Sequence, residues 1–135
     1  MFTKIEHIGI AVKNIQDSNA LYTALLGVEP YKSEMVPSEQ VLTSFFKIGT
    51  TKIELLQGLA PEGTIQKFID KKGEGMHHIA FEVEDIQAEI KRLQANGFVV
   101  LSENPKAGAD NKLVCFLHPK STQGVLIELC QEIRS

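Results

Sequence analysis

The sequence predicts an α+β fold of two β-α-β-β-β modules in tandem, with curved mixed sheets enclosing a metal cleft. Three observations carry that expectation. The chain repeats itself: Lys4-Ile5-Glu6-His7-Ile8-Gly9-Ile10-Ala11-Val12 returns as Gly75-Met76-His77-His78-Ile79-Ala80-Phe81-Glu82-Val83, and Lys52-Ile53-Glu54-Leu55-Leu56-Gln57 returns within Val125-Leu126-Ile127-Glu128-Leu129-Cys130-Gln131. Within each copy the apolar pattern changes from strand-like to helical and back to strand-like. Each copy also opens with a His on an apolar run, His7 or His78, and closes with a Glu on another, Glu54 or Glu128.

Residues 3–12 and 76–84 are short, β-branched and apolar runs with polar borders, so they read as strands. A helix follows each. The first covers about 15–26, with Ile15, Ala20, Leu21 and Leu25 along one stripe and Gly27 as its stop. The second covers about 86–95, with Ile86, Ile90 and Leu93 at helical spacing and Gly97 as its stop. Asn14 and Asp85 stand where N-caps belong. Three strands complete each copy: about 30–36, 40–48 and 51–57 in the first, about 98–103, 112–118 and 124–131 in the second. Gly49-Thr50 and Ser121 to Gly124 supply the turns. This gives a single domain over 1–135, with module 1 at about 3–57, a linker at about 58–74 and module 2 at about 75–131. Pro61-Glu62-Gly63 opens the linker, and 64–71 forms a short helix within it.

At 135 residues a domain hides roughly 68% of the surface its unfolded chain exposes. That suffices for a core without staples. A net charge of −3 with no Lys/Arg cluster argues against a nucleic-acid partner. Met1 to Val12 carries Lys4, Glu6 and His7 where a signal peptide needs an apolar run, and no stretch approaches the ~20 apolar residues of a membrane span. The expected location is the cytoplasm, with no membrane partner. Cys115 and Cys130 lie inside apolar runs and read as buried, reduced thiols.

Strand alternation separates the two adjacent histidines. His77 and His78 point to opposite sides, and the repeat aligns His78 with His7. A lone carboxylate in an apolar strand is costly to bury unless it is paired or binds a metal. Two imidazoles and two carboxylates suit one divalent ion such as Co²⁺, Ni²⁺, Zn²⁺ or Mn²⁺. Six-coordination would leave two positions for water or substrate. Each residue alone has an ordinary reading, a hydrogen-bonded strand His or a wet-face Glu; their duplication in register favours the metal. His118 has no counterpart in the first copy and reads as a loop or substrate contact.

This pattern resembles the vicinal oxygen chelate superfamily, the glyoxalase/bleomycin resistance/dioxygenase group, whose members pair β-α-β-β-β modules around a metal. The resemblance spans essentially the whole chain. Within that superfamily the sequence is most similar to the methylmalonyl-CoA epimerase family. Ile5 to Val12 and Gly75 to Ala80 are superfamily-level signals, whereas His118-Pro119-Lys120-Ser121-Thr122-Gln123-Gly124-Val125-Leu126-Ile127-Glu128-Leu129 is the epimerase-specific stretch. The resemblance implies a metal-dependent isomerase that interconverts (R)- and (S)-methylmalonyl-CoA through a metal-stabilised enolate. It implies His7, Glu54, His78 and Glu128 as ligands, one ion per chain with Co²⁺ foremost, and a homodimer. Position 54 is Gln in some epimerases and Glu here, which keeps a ligand and adds a negative charge. Glu128 is the implied base on one face of the substrate. Some epimerases carry the second base on the strand matching 40–48, which has no carboxylate here. Glu39 is the candidate for that face, with Glu34 and Thr43 nearby. Lys106, His118, Lys120 and Ser121 are the candidate acyl-CoA contacts.

The nearest rival reading is a glyoxalase I-like lactoylglutathione lyase, which shares the ligand set and the enolate chemistry. An extradiol dioxygenase fits less well, since its iron uses two His and one Glu. A metal-free small-molecule binding or resistance module, a different class, needs an aromatic groove. Aromatics are only 7% here and Trp is absent.

Overall fold

The computed structural model describes residues 1–133, so the last two residues of the expected domain lie outside the described residues. In chain order the elements are β1 (Phe2–Val12), α1 (Ile15–Leu26), β2 (Lys32–Val36), β3 (Val41–Ile48), β4 (Thr51–Gly58), α2 (Thr64–Lys72), β5 (Gly75–Val83), α3 (Ile86–Ala95), β6 (Lys106–Gly108), β7 (Lys112–Leu117) and β8 (Ile127–Glu132). The α+β class and the repeated β-α-β-β-β order match the expectation. The chain forms two compact units, one of Ile8–His77 and one of Met1–His7 with the chain from His78 onward.

In the Ile8–His77 unit the strand order is β2-β3-β4-β1. β3 and β4 form an antiparallel hairpin in which Ile48 faces Thr51, so Gly49-Thr50 is the two-residue turn, and Gly49 takes the left-handed φ of +59° that such a turn asks of a glycine. Leu55 and Phe46 point to the α1 side, where they pack with Val12, Ile15, Tyr22 and Leu26. α2 crosses β4 at Gly58, where an added Cβ would sit 2.9 Å from the Gln66 backbone nitrogen.

In the other unit the order is β1-β5-β8-β7-β6, with β5 and β8 parallel and the β8-β7-β6 ladder antiparallel. α3 packs Ile86, Ile90 and Leu93 onto Val83, Cys115, Leu117 and Leu129. Cys115 is paired with Leu129 and Val114 with Cys130, so the two cysteines face opposite sides of the sheet. Both thiols are free and buried, as the sequence suggests.

One expected strand is misplaced. Residues 98–103 are not a strand; only an isolated bridge, Val100 to Leu117, forms there, and the edge strand β6 begins at Lys106. Between the Val100–Leu117 and Lys106–Val114 pairings three extra residues bulge out of the ladder. Pro105 lies in that bulge, and proline has no N–H to donate to a ladder. The apolar run was real, yet Val99 and Leu101 are exposed.

Both helices start as expected and are held by a further device. Asn14 accepts from the Asp17 N–H and Asp85 from the Ala88 N–H. In addition, the Ile15 N–H donates to Gln57 Oε1 at 2.6 Å, and the Ile86 N–H donates to Gln131 Oε1 at 2.7 Å. The two glutamines are matched by the repeat, each three residues after a matched glutamate. Strand alternation then sends Glu and Gln to opposite faces, the Gln toward the helix. Each glutamine satisfies one of the orphan donors of a helix N-terminus.

Gln131→Ala should therefore leave the half-buried donor of Ile86 without its acceptor and lower stability by about 1–2 kcal/mol. Gln57→Ala should cost a similar amount at α1. Urea denaturation of the full chain measures both, and an unchanged midpoint would remove the glutamines from the helix start.

Candidate metal centre

The centre is built on three neighbouring strands. β1, β5 and β8 lie side by side, and the parallel register pairs Ala80 with Glu128. On β8, Ile127 and Leu129 turn toward α3, which leaves Glu128 and Cys130 on the other face. On β5, His78 and Ala80 share that face, and Ala80 packs against Val114 and Cys130. These small side chains leave room above them for larger polar ones.

His7, His78 and Glu128 meet there. His7 Nε2 and His78 Nε2 are 2.9 Å apart. Glu128 Oε1 lies 3.1 Å from His78 Nε2 and 3.5 Å from His7 Nε2. All three residues are buried. Phe116, directly opposite Glu128 on β7, meets the His78 ring in a T-shaped contact at 5.7 Å between centroids. The imidazoles cross at 86°.

Burial by itself pushes the Glu128 carboxyl up. Its contacts with His7 and His78 outweigh that and hold the group at about 2. Glu128 is thus ionised at neutral pH. Close by, burial and then the negative charge of Glu128 and Glu6 push the Cys130 thiol up, so it stays protonated and inert as a nucleophile.

The donor set fits a divalent ion. Ligand atoms bound at right angles to one ion at ordinary N and O bond lengths lie about 3 Å apart. The separations of 2.9, 3.1 and 3.5 Å match that spacing. Neutral imidazoles with a carboxylate are the donors that Co²⁺, Ni²⁺ or Zn²⁺ accept.

The adjacent histidines separate as strand alternation requires. His78 is buried at the centre, whereas His77 is half-buried in a T-shaped contact with Phe68 of α2, 4.9 Å between centroids. Glu54 belongs to the Ile8–His77 unit. It is buried on β4 opposite Phe45, on the face away from Leu55 and α1.

Around the expected second base, Glu39 ends a 3₁₀ turn, Pro37–Glu39, just before β3. Glu34 stands on β2 directly across from Thr43 of β3. Thr43 is fully buried, and among the described residues its hydroxyl has no hydrogen-bond partner.

The expected acyl-CoA contacts fall on two elements. His118 caps the Pro119–Thr122 turn, its Nδ1 accepting from the Lys120 N–H at 3.0 Å. The Ser121 hydroxyl donates to the His118 carbonyl at 2.8 Å. His118, Lys120 and Ser121 are thus gathered in one turn, whereas Lys106 opens the separate strand β6.

Sequence reasoning missed Glu6. It is buried, and its Oε1 lies 2.8 Å from His7 Nδ1. A charged residue beside the first His of an apolar strand was the available signal.

Comparisons with known proteins show the family to which the chain belongs. The family model described as the Glyoxalase/Bleomycin resistance protein/Dioxygenase superfamily matches residues 6–116. An ethylmalonyl-CoA/methylmalonyl-CoA epimerase of Cereibacter sphaeroides is 41% identical, covering 97% of this chain and 99% of that protein. The mitochondrial methylmalonyl-CoA epimerase of Homo sapiens is 40% identical over 95% of this chain and 73% of its own length. A methylmalonyl-CoA epimerase variant of Streptomyces coelicolor, solved in complex with 2-nitronate-propionyl-CoA, superposes with a TM-score of 0.94 at 33% identity, covering 98% of this chain and 96% of that one. With most of its length matched by the family model and nearly all of it aligned to these enzymes, the chain belongs to the glyoxalase/bleomycin resistance protein/dioxygenase superfamily and, within it, to the methylmalonyl-CoA epimerases, a family of isomerases.

Proposed function

We propose that this protein interconverts the (R) and (S) epimers of methylmalonyl-CoA by moving the proton at C2, with one divalent ion per chain. The observation that carries this reading is the buried convergence of His7, His78 and Glu128. His7, His78, Glu128 and Glu54 would hold the ion, and Co²⁺ is the proposed metal. When bound, the ion supplies electrostatic stabilisation of the enolate oxygens that gain charge as the C2 proton leaves.

The chain's own residues carry the proton. Glu128, ionised at neutral pH, can accept the C2 proton on one face and return it as a carboxylic acid. Glu39 is the proposed carrier for the other face, with Glu34 and Thr43 as the alternatives nearest in sequence. Epimerisation then leaves no net redox change and needs no organic cofactor. Lys106, Lys120, His118 and Ser121 are the proposed contacts of the coenzyme A portion. A lysine meets phosphate as a point charge, so that contribution falls with salt. The protein is further proposed to act as a cytoplasmic homodimer; among the described residues no helix is long and apolar enough to cross a membrane.

The glyoxalase I-like reading shares the donor set and is separated by substrate. Deuterium wash-in at C2 of methylmalonyl-CoA supports the epimerase, while turnover of a glutathione hemithioacetal alone overturns it. Failure to bind any divalent ion would favour the binding-module reading.

Two variant pairs test the assignments. His78→Ala should lose metal by more than the ~10–100-fold expected of a lost outer-sphere partner, and activity with it, whereas His77→Ala should bind metal normally. Elemental analysis showing the reverse would mean the strand register is misread. Glu128→Gln should keep part of the metal, because an amide oxygen still ligates, but lose about 10²–10⁴-fold in exchange rate. Glu39→Gln, followed by deuterium wash-in from each pure epimer, should slow one direction far more than the other. Equal rates near wild type from both epimers would remove Glu39 and leave Thr43, Glu34 or a bound water as the second proton carrier.

A further inference from the structure

Glu6 is a carboxylate with 1% exposure, deeper than His7 itself. Its Oε1 sits 2.8 Å from His7 Nδ1, and the pair is an ion-pair geometry with both side chains inside the protein. Burying a carboxylate is expensive unless its partner repays the lost hydration, so its place beside His7 calls for a reason. The duplication does not supply one: at the matching position of the second copy stands His77, which packs on Phe68.

The chemistry of the contact supplies it. An ionised carboxylate can only accept a hydrogen bond. A carboxylate at 2.8 Å from Nδ1 favours the neutral tautomer that carries its proton there and leaves the lone pair on Nε2. That nitrogen is the one facing His78 Nε2 at 2.9 Å and Glu128 Oε1 at 3.5 Å. A carboxylate on the far nitrogen also fixes the ring's orientation and raises the basicity of the near one.

We propose that Glu6 is the positioning residue of the metal centre: its carboxylate holds His7 as the Nδ1–H tautomer with Nε2 presented to a divalent ion. The ion is that of the proposed function, but the tautomer belongs to the metal-free protein, so the two readings fail separately. His78 receives no such carboxylate from its sequence neighbour.

The test uses the full-length ¹⁵N-labelled chain. Long-range ¹H–¹⁵N correlation at pH 8 reads the His7 tautomer, metal-free and loaded with diamagnetic Zn²⁺, and chelator competition reads Zn²⁺ affinity. Wild type should show Nδ1–H in both states. Glu6→Met, of similar length but with no acceptor, should give mixed His7 tautomers without metal and bind Zn²⁺ about 10–100-fold more weakly. Glu6→Gln keeps an acceptor oxygen and should restore the tautomer and part of the affinity, which a merely space-filling role would not produce. Nε2–H or a doubly protonated ring in metal-free wild type overturns the proposal, as does Glu6→Met with wild-type tautomer and affinity. If Glu6→Met does not fold, the wild-type tautomer still decides. A wild-type chain with the Nδ1–H tautomer that binds no Zn²⁺ overturns the metal reading alone.

Discussion

Burying His7, His78 and Glu128 together is the constraint around which the surrounding strands are organised. A carboxylate taken out of water loses several kcal/mol of hydration unless partners replace it. Here they do: the two imidazoles outweigh burial and keep Glu128 ionised. That balance holds only while the ladder of β1, β5 and β8 keeps its register, since a one-residue slip would send the three side chains to the helix side. The apolar packing of Leu129, Val83 and Leu117 on α3 fixes that register from the opposite face. Fold and site therefore share one ladder.

The repeated strand ends show how one short motif serves both faces. In Ile53-Glu54-Leu55-Leu56-Gln57 and Ile127-Glu128-Leu129-Cys130-Gln131 the glutamate and the glutamine are three residues apart. An odd spacing in a strand places them on opposite sides. The glutamine ties down a helix start in each copy, at Ile15 and at Ile86, while Glu128 faces His78. A mutation that shifted the strand would cost the helix its acceptor and the centre its carboxylate at once.

The neighbourhood of Glu128 also explains why the cysteines are quiet. Cys130 shares the carboxylate's face, packed with Ala80 and Val114, and Cys115 faces the α3 core. Adjacent positions on paired strands keep them apart, so neither an internal disulfide nor a thiolate forms beside the centre. The Phe116 ring packs beside the His78 imidazole.

The sequence by itself determined the order of elements, the caps Asn14 and Asp85, the turn at Gly49-Thr50, and the opposite facing of His77 and His78. These follow from local periodicity and from an internal repeat, which marks matched positions without reference to packing. It also marked the polar residues of the buried cluster, because a His or Glu inside an apolar run stands out against its neighbours. Tertiary structure decided the rest. The run 98–103 has strand composition, but its fate turned on whether the β7 edge could accept it, and the bulge containing Pro105 moved the pairing to Lys106. Glu6 looked like an ordinary charge near the start of the chain until the fold closed around it and set its carboxylate on His7 Nδ1. Gln57 and Gln131 were visible as a repeat, yet their task existed only once helices 42 and 45 residues away in sequence arrived with an unpaired N–H. Pairings between distant residues depend on which surfaces meet, and local pattern does not encode that.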